Sequence, residues 1–219
     1  MKLVIGNKNY SSWSLRPWLL LSEFNIDFDE VQELLGQENL RDKLARYSPT
    51  CKVPVLIDDV MTIWDSLAIC EYISERYLKG AGWPGDAGAR ARARAISAEM
   101  HSGFFGLRND LPMNCRARKK VKKSDVVLQE ISRIDQIWSD CRSEYSGIGP
   151  WLFGRFSIAD CMYAPVVFRF QTYGADISTD SRAYMTEILD NQHIINWLAA
   201  ARQESETLPE GEVGEDISI

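Results

Sequence analysis

Asn9-Tyr10-Ser11-Ser12-Trp13-Ser14-Leu15-Arg16-Pro17-Trp18 is the stretch whose reading decides how this chain begins to fold. It follows Lys2 to Gly6, a short run of branched aliphatics that reads as a strand. It leads into Ser14 to Glu23, whose apolar spacing predicts a helix with Pro17 in its first turn. Three serine hydroxyls are thereby gathered at a strand-to-helix junction. The N–H groups that open a helix have no partner inside it, so together with neighbouring hydroxyls they form a site for an anion.

Outward from this junction the element types alternate. Asp27 to Leu34 predicts a second strand and Leu40 to Tyr47 a second helix. Val55 to Ile57 and Met61 to Ile63 predict a hairpin turned by Asp58-Asp59, and Ser66 to Tyr77 a third helix with Ser66 as its cap. Gly80-Ala81-Gly82-Trp83-Pro84-Gly85-Asp86 breaks every pattern and reads as a linker. Beyond it the chain turns helical. Asp86 caps a helix through Ala89 to Ala95, whose alternating Ala and Arg are strong helix formers, and further helices are expected over Ser124 to Tyr145, Ile158 to Tyr173, Ser181 to Asp190 and Gln192 to Glu204. Ser157-Ile158-Ala159-Asp160 has the spacing of a capping box ahead of a strongly apolar helix. Leu208 to Ile219 is an acidic, Gly-containing tail expected to fray. The expected organisation is an α/β domain (βαβαββα) over 1–79, a linker over 80–88, an all-helical domain over 89–207 and a tail over 208–219.

Composition removes several function classes. A formal net charge of −6 over 219 residues argues against a general nucleic-acid binder. The basic run Arg116 to Lys123 lacks interleaved aromatics and is read as a solvated loop or helix start. No stretch has the length and apolarity of a membrane span, and the first residues lack the plan of a signal peptide, so a cytoplasmic location is expected. Cys51, Cys70, Cys115, Cys141 and Cys161 are dispersed and odd in number, which suits reduced thiols rather than a disulfide framework or a zinc site. His101 and His193 are too far apart for a helical ligand pair, and no metal is expected.

Four segments carry a family resemblance in order: Ser11-Ser12-Trp13-Ser14-Leu15-Arg16, Lys52-Val53-Pro54-Val55-Leu56, Asp65-Ser66-Leu67-Ala68-Ile69 and Ser157-Ile158-Ala159-Asp160. With them the chain resembles, over nearly its whole length, a cytosolic glutathione transferase of a serine-type, zeta- or theta-like class. The resemblance implies a thioredoxin-like N-terminal domain, an all-helical C-terminal domain, glutathione as co-substrate and a homodimer. It also implies that Val53-Pro54 is a cis peptide whose Val53 backbone pairs with the cysteinyl part of glutathione. Asp65 and Ser66 would receive the γ-glutamyl group, with Trp13 and Lys52 beside them.

The resemblance leaves the thiolate-stabilising hydroxyl open. Counting back from Arg16, Ser12 matches theta-like enzymes and is preferred, Ser11 matches the zeta-like pattern, and Tyr10 is a third option. Lowering a thiol pKa from about 8.5 to about 6.5 requires roughly 2.7 kcal/mol, within reach of a charge-assisted hydrogen bond of about 1.5–3 kcal/mol and a helix dipole. Trp13 stands where zeta-like enzymes carry a cysteine, and Asp65-Ser66 where they usually carry Gln-Ser, which counts against a maleylacetoacetate-type isomerase. No cysteine occupies the junction, which counts against chemistry through a protein thiol, and Cys51 reads as structural. In the family the first long helix of the helical domain lines the second substrate's site, and here Met100, Phe104, Phe105 and Arg108, with Tyr10, suit a hydrophobic electrophile. The implied activity is conjugation of glutathione to such an electrophile. A glutathione-dependent isomerase, dehalogenase or peroxidase, and a non-catalytic carrier or adaptor, are the alternatives.

Overall fold

A computed structural model describes residues 1–217. Strand β1 (Lys2–Ile5) pairs in parallel with β2 (Asp29–Gln32), Val4 opposite Val31, and antiparallel with β3 (Val55–Asp58), Val4 opposite Val55. The hairpin partner β4 (Met61–Trp64) completes a four-stranded sheet of order β2-β1-β3-β4. Successive side chains of a strand point to opposite faces, and here that alternation sorts the core into layers. Leu3, Ile5 and Leu56 join the main core with Leu15 and Leu19 of α1 (Ser12–Glu23) and Ile69 and Ile73 of α3 (Ser66–Leu78). Val4 and Val55 point the other way, onto Leu44 of α2 (Leu40–Ala45).

The remaining chain supplies α4 (Ala87–Ser102), α5 (Phe105–Asp110), a two-residue strand β5 (Lys119–Lys120), α6 (Asp125–Tyr145), α7 (Ile158–Tyr173), α8 (Thr179–Asp190) and α9 (Gln192–Gln203). A 3-10 turn (Pro209–Gly211) and a short strand β6 (Glu215–Asp216) follow. Helix α7 is buried at every position but Gln171, as an all-round apolar sequence demands, and it packs between α1 and α4. Its N-terminus is held by Asp160, whose carboxylate accepts hydrogen bonds from Leu152 N–H (3.1 Å), Ser157 N–H (2.8 Å), Ser157 Oγ (3.1 Å) and Tyr184 Oη (3.1 Å). Burial pushes this carboxyl up to about 6 against those four donors. Trp138 of α6 stacks against Tyr163, Phe170 and Tyr184 at centroid distances of 5.9, 5.3 and 4.9 Å, joining α6, α7 and α8.

Four expectations are corrected. Helix α1 begins at Ser12, two residues earlier than its apolar spacing suggests, so Pro17 lies inside the helix and cannot donate to the Trp13 carbonyl. The cap of α3 is Asp65, not Ser66: Asp65 Oδ1 accepts from Leu67 N–H (3.0 Å) and Ala68 N–H (3.2 Å). The acidic tail does not fray as far as it is described. Leu208 and Gly211 are buried, and β6 pairs with β5 in the register Lys119 to Asp216 and Lys120 to Glu215. The basic run is accordingly no free loop, since Lys119 is buried between Glu212 (3.1 Å) and Asp216 (2.8 Å). Residues 218–219 of the expected tail lie outside the described residues. No helix among the described residues is long and apolar enough to cross a membrane.

Candidate functional site

Three loops meet where the sheet gives way to helix N-termini. Trp13, Thr50, Lys52, Val53, Pro54, Trp64, Asp65 and Ser66 line one cleft of about 640 Å³, and the Val53-Pro54 peptide within it is cis. Six residues singled out in the sequence (Trp13, Lys52, Val53, Pro54, Asp65 and Ser66) therefore share a single cleft, although up to 53 positions separate them. Its chemistry is amphipathic: two indole faces, one ammonium, one carboxylate, one buried hydroxyl and the start of α3. Asp65 sits at φ 74, a left-handed conformation that turns the chain sharply from β4 into α3. Burial alone would raise its carboxyl, but hydrogen bonds from His101 and from the Ala68 and Leu67 N–H groups outweigh it and hold the group below its ordinary value.

His101 was not anticipated at this place. It reaches from the last turn of α4 to put Nε2 3.0 Å from Asp65 Oδ2, and its ring meets Trp13 edge-on at 5.3 Å. Considered only as a metal ligand, it carried no other signal in the sequence. Trp13 is further flanked by two guanidinium groups, Arg16 at 4.3 Å and Arg108 at 5.2 Å from its ring centre. Arg16 is buried and donates to Ser66 Oγ (3.3 Å); burial, with the charges of Arg108 and Arg169, pushes it down to about 9.

The two serines at the junction have different company. Ser11 Oγ lies 2.7 Å from Ser14 Oγ, which accepts a hydrogen bond from Gly6 N–H at 3.1 Å, so Ser11 belongs to a chain that ties helix to strand. Ser12 Oγ accepts one hydrogen bond, from Arg169 Nη2 at 3.3 Å, and its own proton has no acceptor among the described residues. Arg169 comes from α7, deep in the helical domain. It too was missed, although a lone cation in the predominantly apolar α7 is a signal the sequence does carry.

The loop before Ser11 is built largely from distant chain. Glu204, just past α9, accepts from Lys8 N–H (2.6 Å) and Asn9 N–H (2.9 Å), and Trp197 Nε1 donates to Lys8 O (2.9 Å). Asn9 and Asn114 are joined side chain to side chain (3.0 Å), and Asn9 Oδ1 accepts from Arg116 N–H (3.0 Å). Tyr10 donates its hydroxyl to Glu212 Oε1 (2.7 Å) and accepts from Arg116 Nη2 (3.0 Å). Glu212 also accepts from Asn114 Nδ2 (2.8 Å) and pairs with Lys119, and these contacts hold its carboxyl below its ordinary value despite the opposing effect of burial.

The four residues expected to line a second-substrate site on one helix are dispersed. Gly103 ends α4 and Phe104 turns left-handed at φ 56, so Met100 belongs to α4 while Phe105 and Arg108 belong to α5. Met100 (1% exposed) and Phe104 (7%) are core side chains, whereas Phe105 is 64% exposed. Arg108 donates to the carbonyls of Met100, His101 and Gly103, capping α4, and stacks on Phe105 at 5.3 Å. None of the four lines the cleft that holds Trp13 and Asp65. All five cysteines are free; Cys70, Cys115, Cys141 and Cys161 are buried with thiols pushed up by burial, and Cys51 is half-buried in the loop before Lys52, packed against the cluster of Val4, Leu44 and Val55. A larger cleft of about 1060 Å³, between the linker, α4 and the loop before α7, contains none of the candidate catalytic, glutathione-binding or substrate-binding residues.

Comparison with known proteins accounts for both halves of this arrangement. Residues 10–76 match the family described as "Glutathione S-transferase, N-terminal domain", and residues 114–201 match "Glutathione S-transferase, C-terminal domain". A "Probable maleylacetoacetate isomerase" of Caenorhabditis elegans is 27% identical over 172 residues, 76% of this chain and 77% of that protein. "Glutathione S-transferase theta-1" of Mus musculus is 34% identical over 89 residues, 40% of this chain and 37% of that protein. Among solved structures, a glutathione transferase homolog from Burkholderia with bound glutathione superposes with a TM-score of 0.70 at 24% identity, covering 93% of this chain and 98% of that one. A zeta-class maleyl pyruvate isomerase superposes at 0.72 and 22% identity, covering 94% and 100%. Those two likenesses establish the fold. With both of its halves described by companion families of one fold, the chain belongs to the glutathione S-transferase superfamily.

Proposed function

We propose that the chain is a glutathione transferase that binds glutathione in the 640 Å³ cleft and uses Ser12 to hold its thiolate. The observation that carries the reading is the convergence of Trp13, Lys52, Val53, Pro54, Asp65 and Ser66 on one cleft beside the N-termini of α1 and α3. The γ-glutamyl ammonium goes to Asp65, its carboxylate to Ser66 Oγ and the start of α3, and the cysteinyl backbone alongside Val53. Ser12 is preferred over Ser11 because its one partner is a donor, which leaves its proton free, while the Ser11 hydroxyl is engaged with Ser14 in a bond that either may donate. Tyr10 is set aside because its proton goes to Glu212.

The thiol proton passes to solvent, and the sulfur lone pair forms the new C–S bond. The displaced electron pair leaves with the electrophile's leaving group or, in an addition, takes up a proton. The protein contributes orientation and thiolate stabilisation, and no covalent protein intermediate forms. The relative named as a probable maleylacetoacetate isomerase supports a second reading, in which the same thiolate adds and is expelled again. A conjugating enzyme consumes glutathione into a thioether, whereas an isomerase returns it, so product analysis separates them.

The deciding experiment titrates protein-bound glutathione across pH by thiolate absorbance in wild type, Ser11→Ala and Ser12→Ala. The expected result is a bound thiol ionised about two pH units below the free one, requiring roughly 2.7 kcal/mol, with the effect lost in Ser12→Ala and kept in Ser11→Ala. Glutathione that binds without ionising makes the chain a carrier and removes the catalytic assignment.

A further inference from the structure

Arg169 is 5% exposed and bonds to no carboxylate among the described residues. Its guanidinium donates to the carbonyl oxygens of Leu111 and Arg108 and to Ser12 Oγ, all neutral acceptors. A buried cation without a counter-charge is unusual, because desolvating it is unfavourable unless an anion offsets the loss. The surroundings aggravate the imbalance: burial and the nearby charge of Arg108 push Arg169 down to about 10, and Arg16 stands close enough to feel both. Arginine stays charged at neutral pH, so three guanidinium groups lie within electrostatic reach of one another here, and that of Arg169 meets Ser12.

We propose that Arg169 is a positioning residue for thiolate formation. It fixes Ser12 Oγ as an acceptor so that the Ser12 proton points to the sulfur, and its missing counter-ion is the thiolate itself. The inference rests on the reading of Ser12 above. It adds that the helical domain, not only the thioredoxin-like domain, sets the acidity of bound glutathione. Two features of the geometry support it. The Ser12 hydroxyl takes its single hydrogen bond from this guanidinium, and a hydroxyl that accepts from a cation is a stronger donor at its own proton. The fork of Arg169 is also anchored on two α5-end carbonyls, which fixes its direction and reduces the freedom lost when it meets its partner.

The test measures the pKa of the bound glutathione thiol and the glutathione Kd in wild type, Arg169→Gln and Arg169→Lys, with folding checked by circular dichroism. Arg169→Gln is expected to raise the bound thiol pKa by about one unit or more, with Kd for S-methylglutathione, which has no thiol to ionise, changed less than threefold. Arg169→Lys keeps a cation but not the fork, and is expected to fall between the two. A merely structural role would alter stability and Kd and leave the bound thiol's pKa where it was; that outcome in Arg169→Gln overturns the proposal. Should Arg169→Gln not fold, a bound thiol pKa in Arg169→Lys equal to wild type overturns it instead. A wild-type protein that binds glutathione without lowering its pKa defeats the Ser12 reading and this inference together, whereas a lowered pKa insensitive to residue 169 defeats the inference alone.

Discussion

Gly211→Ala is a small change with a large expected effect. A Cβ on Gly211 would lie 2.5 Å from Tyr10 Cδ1 and 2.6 Å from Tyr10 Cε1, against an ordinary carbon contact of about 3.5–4 Å. One of the two partners must retreat by about 1 Å. If Tyr10 moves, its 2.7 Å hydrogen bond to Glu212 and its 3.0 Å bond from Arg116 stretch beyond reach, a loss of about 1.5–3 kcal/mol for each of the two bonds to charged groups. If the tail shifts instead, overpacking and the backbone displacement cost about 1–3 kcal/mol. The protein takes the less costly route, so the expected destabilisation is about 1–3 kcal/mol rather than the sum. Urea unfolding at constant m value reads it as a lower midpoint, and amide exchange should rise together at residues 10–12 and 208–216. Gly85→Ala, where an added Cβ meets nothing within 4 Å, is the control and should stay within about 0.5 kcal/mol of wild type. A Gly211→Ala protein as stable as that control, or one that loses stability without faster exchange in both segments, would refute the contact as the cause.

Other expectations are more compact. Glu212 has its carboxyl held below the ordinary value in the folded state, so the stability it contributes is present above the unfolded value of about 4.3 and is lost as pH falls through the folded one. Exchange of the 208–216 segment should therefore accelerate under acid before the helical core does. Asp160 has the opposite sign. Raised to about 6, it holds a proton in the native state that the unfolded chain has already released, so its contribution declines as pH rises from about 4 toward 6. An Asp160→Ala variant, which strands the Leu152 and Ser157 N–H groups, should lose about 2–5 kcal/mol at pH 5 by urea unfolding; a loss below 1 kcal/mol would contradict the four-donor description. Asp65→Ala removes both the α3 cap and the carboxylate in the cleft. It should cost about 1 kcal/mol of stability and, under the proposed function, weaken glutathione binding at least tenfold by calorimetry. Unaltered affinity would take Asp65 out of the ligand's contacts.

What was legible in the sequence is what neighbouring residues decide. The strand Lys2–Ile5, the hairpin around Asp58-Asp59, the cap at Asp86 and the apolar run of α7 are each specified within a few positions. Boundaries slipped where a local rule had two answers: both Asp65 and Ser66 are good caps, and only the positive φ at Asp65 chooses between them. Pairings over long separations were illegible. The basic run reads as solvated and the acidic tail as frayed because nothing local says that Lys119 lies opposite Asp216. The same blindness hid His101 at Asp65 and Arg169 at Ser12, and it placed Met100 and Phe104 in a pocket when Gly103 had already broken their helix.

The loop that leads into Ser11 and Ser12 is synthesised well before the residues that tie it down, Trp197, Glu204 and Glu212. A nascent chain made only as far as α4 can form its sheet and α1 while Lys8 and Asn9 still lack the carboxylate that receives their N–H groups. Such distant closures are slow to form, because the entropy of the intervening loop is lost before the contact stabilises anything. On the ribosome the serine loop would wait for Trp197 and Glu204 to be made before its backbone is tied, so a part of the site made early is set late.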